Sequence, residues 1–110
     1  MITKEYQRMS KRTLPSEGVT RRDLLANMSM GLAGESGEVV DLLKKHLYQD
    51  HDLDVAKVSE EVGDLMWYVA NLCNVMNIDM GDCMEANVDK LRRRYPNGFD
   101  AERSINKGLS

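Results

Sequence analysis

Two stretches of this chain repeat apolar residues at alternating steps of three and four, a spacing that an α-helix gathers onto one face. The first runs through Leu25, Met28, Leu32, Glu35, Val39, Leu42 and His46, the second through Val58, Val62, Leu65, Val69, Leu72 and Met76. Each carries an acid pair at i,i+3 spacing: Glu35 with Glu38 in GESGE, and Glu61 with Asp64 in EEVGD. Glu35 interrupts its apolar seam and Glu38 borders it. At about 100° per residue, Glu61 flanks the second seam by roughly 60°, Asp64 stands further round, and Glu60 points nearly opposite.

The 22 residues between Glu38 and Glu61 allow two helical arms and a turn, so an antiparallel hairpin gathers all four carboxylates. At about 5 Å and an effective dielectric near 20, each like-charged pair repels by about 3 kcal/mol. A divalent cation removes that cost. Oxygen ligands without Cys or His select magnesium, manganese or calcium over zinc or copper. The alternative for either pair alone is a solvated helix face.

The rest of the chain frames this hairpin. ITKEYQRMSKR reads as a short helix, followed by a loop broken at Pro15 and Gly18. Thr20 and Asp23 form a capping-box-like start to a helix from about Arg21 to Tyr48, and a second helix spans about Val55 to Met76. Trp67, Met66, Ala70 and Cys73 lie outside the second seam, which leaves a narrow polar strip of Glu60, Asp64, Asn71 and Asn74. A helix this apolar expects burial on several sides. A second copy of the chain would supply it. Asp79 caps a third main helix, Met80 to Arg94, which Pro96 and Gly98 end; residues 99–110 read as a loosely ordered tail.

The expected fold is therefore all-α: a single domain over residues 1–110, a bundle of about four helices with two long antiparallel ones, completed by oligomerisation. A net charge of -3 argues against a general nucleic-acid or anionic-membrane binder. No apolar run approaches the roughly 20 residues that span a bilayer. Without a signal peptide or a metal or redox motif at Cys73 and Cys83, both cysteines read as reduced, buried thiols of a cytoplasmic protein.

Asn87, Lys90 and Arg94 share a face of the third main helix. They are either surface groups favoured near a helix C-terminus or ligands for a polyphosphate beside a metal. His46 and His51 fit no ligand spacing, and no glutamate has a histidine three residues later, as a di-iron bundle requires. Trp67 and Tyr68 read as core or interface aromatics. Gly31, Gly34 and Gly37 lie inside a helix, where they permit close approach of another backbone or of the metal site.

Through GLAGESGEVVDLLKKH, SEEVGDLMWYVANLC and NVDKLRRRYPNGF, roughly Leu24 to Phe99, the chain resembles the MazG-like all-α nucleoside triphosphate pyrophosphohydrolases, specifically the short single-domain members. Glu35, Glu38, Glu61 and Asp64 match that family's ExxE and ExxD. Many members begin the first motif with two glutamates; here the first of those positions is Gly34. The resemblance implies Mg²⁺-dependent hydrolysis of nucleoside triphosphates to the monophosphate and pyrophosphate, with Mn²⁺ able to substitute. It implies the four acids as metal ligands, Glu38 or Glu61 as general base, Lys90 and Arg94 as phosphate contacts, and a homodimer or tetramer. Asn87 joins them as a candidate contact to sugar or base. The competing readings are a specialised dUTP, dCTP or phosphoribosyl-ATP pyrophosphohydrolase, and a non-catalytic metal-binding dimerisation module.

Overall fold

A computed structural model describes residues 1–106 and is helical throughout: α1 Thr3–Lys11, α2 Arg21–Tyr48, α3 Val55–Met76, α4 Met80–Arg94 and α5 Ala101–Ile105. The described residues form no strand. The long helices run over the ranges their periodicity predicts. Their ends follow from local chemistry: Thr20 Oγ1 accepts from Asp23 N at 3.1 Å, Asp54 Oδ1 from Lys57 N at 3.0 Å, and Asp79 Oδ1 from Asp82 N at 2.9 Å. Asn77, left-handed at φ 55°, stops α3. Around it Ile78 N reaches Cys73 O at 2.8 Å and Asn77 N reaches Asn74 O at 3.3 Å, the paired bonds of a Schellman end.

α2 and α3 pack along their length, and their partners pair in opposite order along the two helices. Gly31 faces Tyr68, Glu38 faces Glu61, and Asp41 and Leu42 lie beside Lys57. The long pair is thus an antiparallel hairpin. Gly31 makes its close approach to a side chain rather than to a backbone: a Cβ there would sit 2.0 Å from Tyr68 Cε1. Tyr68 in turn meets Trp67 edge to face at 5.0 Å.

α1 lies on the other side of α3 and also carries α4. Sandwiching α3 in this way changes which of its residues are inside. The buried set is Glu61, Ala70, Asn71 and Cys73, whereas Val62 and Met76 of the expected seam are exposed. Asn71, assigned by its angle to a solvated strip, is fully buried because α1 covers it. His46, at the end of the first seam, is exposed, and its Nδ1 donates to His51 O at 2.9 Å.

The C-terminal region differs from expectation too. Asp100 caps a short helix, and Arg103 folds it back by donating to the carbonyls of Arg94 and Arg93. Lys107 to Ser110, the rest of the expected tail, lie outside the described residues. Cys73 is buried as expected, but Cys83 is exposed because α4 meets α1 along only one side; both are free thiols. No described helix is long and apolar enough to cross a membrane.

A radius of gyration of 17.2 Å exceeds the about 13 Å of a compact domain of this length. Among the described residues the buried apolar ones are Met28, Ala70 and Cys73, while Met30, Val40, Leu47 and Val55 are all more than 60% exposed. One chain thus leaves much of its apolar surface uncovered.

Candidate metal centre and pocket

The acid pairs meet where the middle of α2 crosses the first half of α3. One carboxylate oxygen from each of Glu35, Glu38 and Glu61 lies within 4.8 Å of the other two. Oxygens on opposite sides of a bound ion are about 4.2 Å apart for Mg²⁺ and about 4.8 Å for Ca²⁺. Three oxygens within that span are within reach of one hard divalent ion.

Burial is unequal, and not in the order that helical angles suggest. Glu61 is 5% exposed, Glu35 is half-buried, and Glu38 and Asp64 are exposed. Glu61, expected at the border of its seam, is the most enclosed of the four; Glu35 and Glu38 of α2 converge on it and Lys57 stands 3.4 Å away. Asp64 stands outside the three-oxygen set, yet its charge helps raise Glu35 and Glu38. Glu60, adjacent in sequence, is exposed.

Electrostatics mark this spot. A hydrogen bond shared with Glu61 is the largest cause of a Glu35 carboxyl pushed up to about 7, followed by burial and then the charges of Glu61, Glu38 and Asp64. Glu38 is raised as well, first by its own hydrogen bond to Glu61. Glu61 is lowered, chiefly by Glu35 donating to it. Protons thus do part of the work of a cation. Glu35 Oε2 is nevertheless buried with no hydrogen-bond partner. Three converging carboxylates, one of which carries a buried oxygen without a partner, fit a hard divalent ion.

The acids open into a pocket of about 470 Å³ lined by Gly34, Gly37, Glu38, Asp41, Lys57 and Glu61, with Leu42 as its apolar wall. Gly34 and Gly37 have nothing within 4 Å of where a Cβ would stand, so they widen the pocket mouth. Asp41 is held by Lys45 at 2.8 Å, which lowers its carboxyl.

Lys57 was not singled out by sequence patterning. Its Nζ stands 3.4 Å from Glu61 Oε1 and 3.6 Å from Glu60 Oε2, and the Glu60 charge is the first cause of its raised value. It also occupies the first turn of α3, where the helix dipole disfavours a cation. The available signal was its position four residues before Glu61, which puts both on one face.

Asn87, Lys90 and Arg94 lie on α4, which packs on α1, and they are not among the residues lining the pocket. Asn87 and Lys90 are exposed; Arg94 is half-buried near the α4 end that α5 folds back upon. The structure thus gathers three of the four acids and adds Lys57, while the expected phosphate contacts remain on a separate helix.

The MazG nucleotide pyrophosphohydrolase domain matches residues 25–99, a span that contains all of these groups. The Gene 37 protein of Mycobacterium phage L5 is 35% identical over 79 residues, covering 67% of this chain and 68% of that protein. No solved structure matches the chain. With its acid pairs on the facing helices of an all-α hairpin inside the matched span, the chain belongs to the MazG nucleotide pyrophosphohydrolase family.

Proposed function

We propose that this protein hydrolyses a nucleoside triphosphate to the monophosphate and pyrophosphate, with Mg²⁺ held by Glu35, Glu38 and Glu61. The observation that carries this reading is the convergence of three carboxylate oxygens, one each from Glu35, Glu38 and Glu61, beside a pocket that Glu38 and Glu61 line. A bound ion would supply charge to offset the polyphosphate and Lewis acidity to activate water. Asp64, one turn along α3 from Glu61, turns inward as a fourth ligand. Glu38 or Glu61 takes the proton from the attacking water, since both line the pocket. Lys57 faces the same pocket and offers its ammonium to the phosphates once the carboxylates are neutralised.

Asn87, Lys90 and Arg94 complete the phosphate and nucleoside contacts across a homodimer or tetramer. A second copy covering Met30, Val40, Val62 and Met66, all exposed in one chain, provides the assembly that carries them. The free thiols suit a reducing, cytoplasmic setting. A non-catalytic metal-binding module is the second reading, favoured by the separation of the α4 cations from the pocket.

A panel of canonical and modified nucleoside triphosphates, including dUTP and dCTP, together with phosphoribosyl-ATP, assayed for pyrophosphate release with and without Mg²⁺, separates these readings. Release from one or more, lost in Glu61→Gln, is the expected result. Metal binding without release from any substrate would leave the non-catalytic module.

A further inference from the structure

The second half of α3 is joined to α1 by polar side chains spaced one turn apart. Trp67 Nε1 donates to Thr13 Oγ1 at 2.8 Å, Asn71 Nδ2 to Ser10 O at 3.1 Å, and Asn74 Nδ2 to Gln7 O at 3.0 Å. Asn74 Nδ2 also reaches Asn71 Oδ1 at 3.0 Å, so the two amides brace each other. This ladder ends on Gln7. Its side-chain amide spans the turn between α3 and α4: Nε2 donates to Ile78 O at 2.7 Å and Oε1 accepts from Met80 N at 2.8 Å.

Those two contacts fall on either side of Asp79, the cap of α4. Met80 N is one of the first amides of α4 and has no partner within its own helix. Asp79 takes Asp82 N, and Gln7 takes Met80 N, so part of the α4 start is satisfied from α1. At Gly81 the fit is tight, because a Cβ there would lie 3.1 Å from Thr3 Oγ1. Since α4 packs on α1, its direction depends on this joint.

We propose that Gln7 is a positioning residue that fixes the direction in which α4 leaves α3, and with it where Asn87, Lys90 and Arg94 stand relative to Glu61 and Asp64. The leverage is large. Arg94 lies about 21 Å along the helix from Met80, so a tilt of about 10° at the joint moves it by about 4 Å. The part of the inference that concerns substrate rests on the proposed hydrolysis; the part that concerns α4 does not.

Gln7→Met keeps the length of the side chain and removes both hydrogen bonds; Gln7→Ala also removes the packing. In full-length protein, amide exchange at Met80 to Cys83 should rise about tenfold in either variant, with α2 amides unchanged. Mn²⁺ affinity without nucleotide, read by calorimetry, should stay within about twofold. The KM for the triphosphate should rise about tenfold, with kcat falling less than about threefold. Unchanged exchange in α4 would overturn the clamp. Faster exchange with an unchanged KM would overturn its bearing on substrate. A joint fall of Mn²⁺ affinity and melting temperature would show general loss of fold and overturn a positioning role. If the wild type releases no pyrophosphate, the proposed reaction fails, and the exchange arm alone decides the clamp.

Discussion

The two halves of α3 bury polar groups in opposite ways. In the second half, Asn71 is fully enclosed, yet its amide is engaged by Ser10 O and Asn74. In the first half, Glu61 is nearly as enclosed, but its neighbours are Glu35 and Glu38, and Glu35 Oε2 has no partner. One half satisfies its buried polar groups within the protein; the other leaves a buried oxygen open. Buried polarity that the fold satisfies serves stability and specificity, whereas buried polarity that it leaves open marks where a ligand enters.

The sharpest way to break this contrast is to remove a charge from the open half. Glu61→Gln should lower pyrophosphate release by about 10³-fold or more, since ligand and candidate base are lost together. The same change should raise the melting temperature of metal-free protein at pH 8 and abolish any further rise on adding Mg²⁺ or Mn²⁺. A variant that keeps full turnover would remove Glu61 from the chemistry.

Damage to the closed half should have the reverse signature. Asn71→Ala removes the amide that bridges Ser10 O and Asn74 Nδ2 and opens a cavity, at a cost of about 2–3 kcal/mol, or a melting temperature lower by roughly 10 °C. The metal-induced rise in melting temperature should survive. If it vanished instead, the two halves of α3 would be energetically one unit.

Titration sharpens the comparison from another side. Glu35 is pushed up to about 7 and Glu38 is raised too, so the stability from their protonated forms is complete below about pH 4.5 and is lost as pH rises through their folded values, about 7 for Glu35. Glu61 is lowered, and its contribution has the opposite sign, present above about 4.5 and lost as pH falls through its folded value. Metal-free protein should therefore lose stability between about pH 4.5 and 7. Saturating Mn²⁺ should flatten that loss, and Mn²⁺ affinity should fall as pH drops below about 7. Melting curves with and without the ion, taken across that range, test both.

The smallest effect is expected at Lys57, which is nearly half exposed and holds Glu61 and Glu60 only at 3.4 and 3.6 Å. Lys57→Met should change stability by less than about 0.5 kcal/mol. Mn²⁺ should bind about threefold tighter, because a neighbouring cation is gone. A weaker Mn²⁺ affinity would mean that Lys57 orders the carboxylates rather than opposing the ion.

These contrasts were only partly legible in the chain. The three–four spacing, with Thr20 and Asp79 as caps, gave α2, α3 and α4 their extents, because periodicity and capping are local. Glu35, Glu38 and Glu61 were legible as a group, since a short connection between two long helices dictates an antiparallel return. The burial of Asn71 was not. Its angle on α3 said only that it lay off the seam, and nothing local to α3 announces that the carbonyls of α1 will cover it. Lys57 was hidden for a related reason, as a cation near an acid pair reads as a solvated ion pair until a pocket forms around it.

Local physics therefore determined the helices, their ends and the acid pairs, because hydrogen bonding within a turn and side-chain period act over a few residues. Tertiary structure alone decided that Glu61 is the enclosed acid, that Asp64 stands apart, that Asn71 is core and that Gln7 governs the α3–α4 turn. Each of these depends on which element covers which face, and α1 meets α3 across more than 50 residues of intervening chain.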